Sequence, residues 1–136
     1  MNLKLDMAAL QSMALFEKLT HAQVQDCILG ESHIFVVKQG EIAKALGKNA
    51  ATLHKAEHVF KKKIKLIEFN ADLAQFVKNA IAPLKVASVV VEDGVVTISD
   101  PDMKVKGMII GRSASNLNKL KDLVRRYFTI NDIVVK

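Results

Sequence analysis

What most constrains this chain is a short stretch that occurs twice, 64 positions apart: Leu46-Gly47-Lys48-Asn49-Ala50 and Ile110-Gly111-Arg112-Ser113-Ala114. The register extends beyond the turns, because Leu53, Lys55, Ala56, Val59 and Phe60 correspond to Leu117, Lys119, Leu120, Leu123 and Val124. An apolar pattern kept over several helical turns, in step with a glycine turn, is hard to obtain by chance. It predicts two copies of one supersecondary unit. Each copy ends a short apolar helical run and opens a longer amphipathic one. In each, glycine is followed by a cation and then by a small polar residue able to cap a helix. A glycine-cation turn at a helix N-terminus presents backbone N–H groups beside a positive side chain, which is the chemistry of holding a phosphate. The plainer reading is punctuation, with glycine stopping one helix and Asn49 or Ser113 capping the next. Duplication in register, with a cation each time, favours phosphate contact and a nucleic-acid backbone over a single nucleotide.

The flanking periodicity supplies the elements. Asp6 to Leu19 reads as a helix with a broad apolar face of Met7, Leu10, Met13, Ala14, Leu15, Phe16 and Leu19. Val24–Leu29 and Ile34–Val37 read as strands joined at Gly30-Glu31-Ser32. Glu41–Leu46 is a short helix stopped by Gly47. Asn49 is expected to cap the next helix, whose apolar positions are Leu53, Ala56, Val59 and Phe60, and Ile64, Leu66 and Ile67 form a strand. The order then restarts. Asp72–Ala82 is a helix ended by Pro83, and Lys85–Val91 and Val95–Ser99 are strands joined by the hairpin dipeptide Asp93-Gly94. Asp102 is placed to cap a helix over Met103–Ile110. After Gly111, Ser113 or Ser115 is expected to cap a helix carrying Leu117, Leu120, Leu123 and Val124, and Ile130–Val135 closes the chain. This is an α+β chain of two αββααβ units, residues 1–69 and 70–136, with no Gly/Ser/Pro-rich linker between them.

Charge narrows the class of partner. The net charge is +6, with ten basic against seven acidic side chains on each side of Asn70, so the excess is no terminal tail. An acidic partner such as nucleic acid is favoured. Half the residues are hydrophobic, so a packed core is expected. Cys27 is the single cysteine, which rules out an internal disulfide or a cysteine metal cluster; it reads as a small buried hydrophobe in a reducing compartment. Met1–Asp6 lacks a signal pattern, and no apolar run nears the ~20 residues that span a bilayer, so a cytoplasmic location is expected.

Other motifs weigh little. His54-Lys55-Ala56-Glu57-His58 spells H-x-x-E-H, but the helical wheel sets both histidines almost opposite the core face, on open surface with no third ligand. Lys61-Lys62-Lys63 and Arg125-Arg126 sit at helix C-terminal ends, where cations favour the macrodipole whatever the function. Six Phe, one Tyr and no Trp are too few for strand surfaces that stack bases. Neither G-x-x-x-x-G-K-[ST] nor G-x-G-x-x-G occurs.

Two αββααβ units with a glycine-cation turn between their middle helices resemble tandem KH domains of the prokaryotic topology (type II), each a three-stranded mixed sheet covered by helices. The stretch Gln75-Phe76-Val77-Lys78-Asn79-Ala80-Ile81-Ala82-Pro83-Leu84-Lys85-Val86 is similar to the segment joining the KH pair of the transcription factor NusA. Leu15-Phe16-Glu17-Lys18-Leu19-Thr20 followed by Val24-Gln25-Asp26-Cys27-Ile28 is similar to the archaeal NusA-like proteins, which consist of the KH pair alone. The resemblance covers nearly the whole chain. It implies a non-enzymatic, monomeric RNA-binding factor that acts with RNA polymerase in elongation and termination, without cofactor, metal or membrane. The Gly-x-x-Gly loop of a KH domain clamps the sugar-phosphate backbone, and a groove beside it takes a few unstacked bases. Carried over by position, the clamps are Gly47-Lys48-Asn49-Ala50 and Gly111-Arg112-Ser113-Ala114, with Lys44, Lys55 and Lys119 completing the expected RNA-binding set. The chain departs from the pattern in having alanine for the second glycine of both loops. As a good helix former, alanine is expected to leave the turn intact while reshaping the clamp. The alternative is a KH-fold protein-interaction or ribosome-assembly module with weakened or lost RNA binding.

Overall fold

The computed structural model describes residues 6–136. They divide into two compact units, one ending at Asn70 and one spanning Ala71–Lys136.

The first unit begins with helix α1 (Met7–Thr20), capped by the Asp6 carboxylate, which accepts the Ala9 N–H at 2.8 Å. An antiparallel hairpin follows, β1 (Val24–Ile28) and β2 (Ser32–Val37), then α2 (Ile42–Leu46), α3 (Ala51–Phe60) and β3 (Lys63–Glu68). Strand β3 lies parallel to β2, giving a mixed sheet in the order β1-β2-β3. Parallel neighbours cannot be joined by a hairpin and need a crossover. Here α2 and α3 supply it, so the Gly47 turn is the corner of the crossover. One face of the sheet, carrying Cys27, Phe35, Val37 and Ile64, meets Phe16 of α1, Ala45 of α2 and Ala56 of α3 in a buried core. Phe16 stacks on Phe35 with ring centroids 4.2 Å apart, and Phe60 lies 5.4 Å from Phe35. Val24 and Cys27 are three residues apart, so strict alternation would send them to opposite faces. A bulge between Val24 and Asp26 brings both into the core.

His33 packs edge-on against Phe35 and Phe60, and its Nδ1 accepts the Gly30 N–H at 3.3 Å, which requires that nitrogen to be unprotonated. Burial, then the charge of Lys62, holds its pKa below the ordinary 6.5. A depressed histidine pKa means that the unfolded chain takes up the proton first as pH falls. The stabilisation is therefore complete above about pH 6.5 and is lost as pH drops through the lowered value. The melting temperature of this unit is expected to fall between pH 7.5 and pH 5.5, and His33→Phe is expected to flatten that fall; an equal fall in both proteins would refute this role.

The second unit repeats the order as α4 (Leu73–Ile81), β4 (Ser88–Glu92), β5 (Val95–Ser99), α5 (Met103–Ile110), α6 (Ser115–Arg125) and β6 (Asp132–Val135). Its sheet, β4-β5-β6, is again antiparallel then parallel. Asp72 and Asp102 cap α4 and α5 through the N–H groups of Gln75 and Lys104. Asp93 and Gly94 both take positive φ, 52° and 77°, the turn whose twist matches the flanking strands. Phe76, Val77, Val96, Ile98, Leu123, Val124 and Ile133 are buried, and Tyr127 and Phe128 pack on Phe76. These are KH-like αββααβ units, and β1 and β4 begin and end 64 positions apart, in the register of the turns.

Three expectations are corrected. The broad apolar face of α1 is mostly outside, since Met7, Leu10 and Leu15 are exposed while Ala9, Phe16 and Thr20 are buried. Apolar residues occupy more than half the circumference of α1, and a helix lying on one sheet face buries a single stripe. Val59 is exposed on α3 because it stands at the edge of an apolar stripe whose buried centre is Ala56. Strand β4 starts at Ser88 rather than Lys85, and β6 at Asp132 rather than Ile130, whose side chain is buried ahead of the strand. Among the described residues no helix is long and apolar enough to cross a membrane.

Candidate nucleic-acid interface

The two glycine turns have one backbone. Gly47, Asn49 and Ala50 lie at φ/ψ of 72/177°, 54/33° and 61/22°. Gly111, Ser113 and Ala114 lie at 74/177°, 53/35° and 61/22°. In the first, the Gly47 N–H closes α2 on the Ala43 carbonyl at 2.9 Å, and the Ala50 N–H returns to the Gly47 carbonyl at 3.2 Å. In the second, Gly111 closes α5 on Gly107 at 2.8 Å and Ala114 returns to Gly111 at 3.3 Å. The N–H groups of Lys48, Asn49, Arg112 and Ser113 take no partner among the described residues, and all four residues are exposed.

Asn49 and Ser113 are not the helix caps that the sequence led us to expect, and Ser115 is the first residue of α6 rather than its cap. A side-chain cap needs an extended backbone at the capping residue, whereas Asn49 and Ser113 are left-handed. The capping positions fall on Ala50 and Ala114, so α3 and α6 begin with no side-chain hydrogen bond. First-turn N–H groups without a side-chain cap thus lie beside an exposed cation at the start of each helix, where the helix dipole favours negative charge.

Helix propensity does not explain the alanines, because Ala50 and Ala114 precede the helices in the left-handed region. That conformation costs an L-residue ~1–2 kcal/mol, which glycine does not incur. Ala50→Gly and Ala114→Gly are each expected to stabilise the protein by about 1 kcal/mol in urea unfolding. A loss of stability would show that the methyl groups make a compensating contact.

Gly47 and Gly111 are required by their neighbours as well as by φ. A Cβ at Gly47 would lie 2.9 Å from the Thr52 backbone nitrogen, and one at Gly111 would lie 2.7 Å from Asn116 Cγ. Thr52 and Asn116 occupy matched positions, and Asn116 Nδ2 donates to the Met108 carbonyl at 3.0 Å, tying the end of α5 to the start of α6. Sequence reasoning passed over both residues; the available signal was a polar residue five positions after each glycine.

Of the remaining cations, Lys55 and Lys119 are exposed in the second turns of α3 and α6. Lys44 is exposed, but its Nζ lies 3.3 Å from Glu41 Oε2. The Glu41 carboxyl is held below the usual carboxylate range, first by the Gln23 N–H it accepts at 2.8 Å and then by Lys44. Lys44 thus brings a compensated charge, and its matched residue in the second unit is Met108. Within each unit the glycine, the cation and the helix start are brought into one turn. His54 and His58 are exposed on α3, as the wheel predicts, and Glu57 is engaged elsewhere, its Oε2 accepting the Ile64 N–H at 3.0 Å.

No protein-family model matches the chain. Among curated proteins it is 34% identical to the "Probable transcription termination protein NusA" of Halococcus morrhuae, over 98% of both chains. It is 34% identical to the protein of the same name from Methanococcus vannielii, over 99% of this chain and 80% of that one. Among solved structures, the crystal structure of APE1850 superposes with a TM-score of 0.77 at 24% identity, covering 97% of this chain and all of that one, so it shares the fold.

Proposed function

The chain belongs to the NusA family of archaeal transcription termination proteins, and we propose that it works there as an RNA-binding factor on RNA polymerase. Each unit grips the backbone of single-stranded RNA with its glycine-cation turn. Lys48 and Arg112 meet phosphates, and the N–H groups of Lys48, Asn49, Arg112 and Ser113 donate to phosphate oxygens. The observation that carries this reading is the identity of the two turns, each with an exposed cation, unpartnered N–H groups and a helix start without a side-chain cap. The site asks for no bond-breaking chemistry, so the role is binding rather than catalysis, by a monomer without cofactor in the cytoplasm.

A second reading rests on Ala50 and Ala114, which put a methyl group where a second loop glycine would leave the backbone bare for a phosphate. It makes the chain a protein-interaction or ribosome-assembly module of KH fold. Fluorescence anisotropy with pools of single-stranded RNA at two salt concentrations separates the readings. Gripping predicts binding whose log affinity falls with log salt by about 0.7 per neutralised phosphate. Absence of binding at low salt, with retention on immobilised polymerase or ribosomal particles, would establish the second.

A further inference from the structure

We infer that the open edge of β4 takes up an extended strand of a protein partner, one that sets a basic side chain opposite Glu92. Strand β4 is an outer strand of its sheet and pairs with β5 alone. Asp93-Gly94 makes a two-residue turn, so Glu92 and Val95 face each other as a hydrogen-bonded pair, and the pairing alternates from there. Val90 and Ser88 therefore bond β5, whereas the N–H and carbonyl groups of Val89 and Val91 point away from it. The far side of β5 agrees in phase, since the carbonyl of Ile98, opposite Val89, accepts the Lys136 N–H at 2.8 Å. The outward N–H groups of Val89 and Val91 take no partner among the described residues. The strand keeps one register throughout, and Val90 and Val91 are 51% and 41% exposed. A regular, β-branched edge without proline, lysine or bulge is a template for another strand.

The first unit closes the same edge. Its matched strand, β1, shifts register at the bulge between Val24 and Asp26. Glu17 Oε2 accepts the Val24 N–H at 3.3 Å, and Asp26 Oδ1 accepts the Cys27 N–H at 2.8 Å. Asp26 is fully buried, and Val90 holds its place in β4. Val91, matched to Cys27, thereby lacks the neighbouring carboxylate that covers the edge of β1. Bulge and carboxylates guard one copy of the edge, and neither occurs in the other.

Charge selects the occupant. Glu92 and Asp93 at the hairpin tip are exposed and form no ion pair among the described residues. In a chain of net charge +6 this end repels phosphate and favours a cation. A strand laid antiparallel on β4 starts opposite Glu92, where a lysine or arginine is paired across the strands. On the same face as Val90 lie Thr97 and Val134, half-buried and uncharged, which suit β-branched residues further along that strand. No residue of the glycine turns takes part, so this surface stands or falls apart from RNA gripping.

The test is amide NMR of the whole chain titrated with the end-blocked peptide Lys-Val-Thr-Val-Thr. Saturable shifts centred on Val89 and Val91, with slower hydrogen exchange at both, are the expected result. Val91→Pro removes an outward N–H without touching the β4–β5 ladder, so it is expected to fold, which thermal unfolding checks. It should weaken the peptide roughly tenfold. Glu92→Lys should weaken this peptide and strengthen one with glutamate in place of its lysine, a reversal that a merely structural role would not give. Main-chain pairing does not depend on one sequence, so a peptide that shifts neither amide overturns the proposal. Equal peptide affinity in wild type and Val91→Pro overturns it too. Wild-type protein that dimerises in sedimentation while Val91→Pro stays monomeric assigns the edge to a second copy instead. Displacement of the peptide by single-stranded RNA assigns it to RNA, against the charge argument.

Discussion

Gly47→Ala is expected to destabilise the first unit by about 3 kcal/mol or more, and Gly111→Ala to cost the second about 2–3 kcal/mol. Both glycines sit near φ 73°, ψ 177°, a region that residues with a Cβ essentially do not occupy. Backbone strain alone accounts for ~1–3 kcal/mol. The difference between them comes from what the new methyl group meets. At Gly47 it meets the Thr52 backbone nitrogen as well as the Thr52 side chain, and a helix backbone cannot swing aside. At Gly111 the Asn116 amide can rotate away at the expense of its hydrogen bond to the Met108 carbonyl, worth ~1 kcal/mol, but Asn116 Cβ, 2.9 Å away, moves only with the backbone of α6. For a unit of this size such losses lower the midpoint of thermal unfolding by on the order of 10 °C or more. Calorimetry with each variant reads the effect, and a shift within 2 °C for Gly47→Ala would show that the turn can be rebuilt around a side chain. Ala50→Gly has the opposite sign three residues away, so the pair tests the backbone description of the turn rather than general sensitivity to substitution.

Much of this was legible because the duplicated register is a local signal repeated. A periodic helix, an Asp-Gly hairpin and a glycine-cation turn each declare themselves within a few residues, and their recurrence 64 positions later fixed the order of elements. Asp102 was recognisable as a cap because it stands in extended backbone directly before its helix. Asn49 and Ser113 have the same chemistry, but the turn carries two successive left-handed residues, which moves the helix start past them. Composition cannot show that shift, and it hid the strain at Ala50 and Ala114 behind alanine's preference for helices. The bulge that turns Val24 and Cys27 to one face, and the contact of Thr52 and Asn116 with the glycines, depend on neighbours that only the fold assembles. The outward apolar side of α1 was missed for a related reason: periodicity shows which residues share a face, and packing decides how wide the buried stripe is.

The largest functional effect is expected from the double substitution Lys48→Asp, Arg112→Asp, which should abolish RNA binding while leaving the protein folded. A hydrogen bond to a charged group contributes ~1.5–3 kcal/mol, and each ~1.4 kcal/mol is tenfold in affinity. Losing two such contacts, with an anion now facing each phosphate, lowers affinity by roughly 100-fold or more. Stability should hold, because both side chains are exposed and an acidic residue just before α3 or α6 favours the helix dipole. Arg112→Asp alone should cost more than Lys48→Asp alone, since a guanidinium can bond two phosphate oxygens at once where an ammonium acts as a point charge. The milder pair Lys48→Gln, Arg112→Gln removes two charges without repulsion, and should reduce the slope of log affinity against log salt by about 1.4, or ~0.7 for each phosphate. That slope separates gripping from folding: a merely weakened protein would lose affinity with its salt dependence unchanged. Folded double-Asp protein that binds RNA as tightly as wild type would place the RNA contacts away from the turns, and would leave the matching backbones of Gly47–Ala50 and Gly111–Ala114 as features of the fold alone.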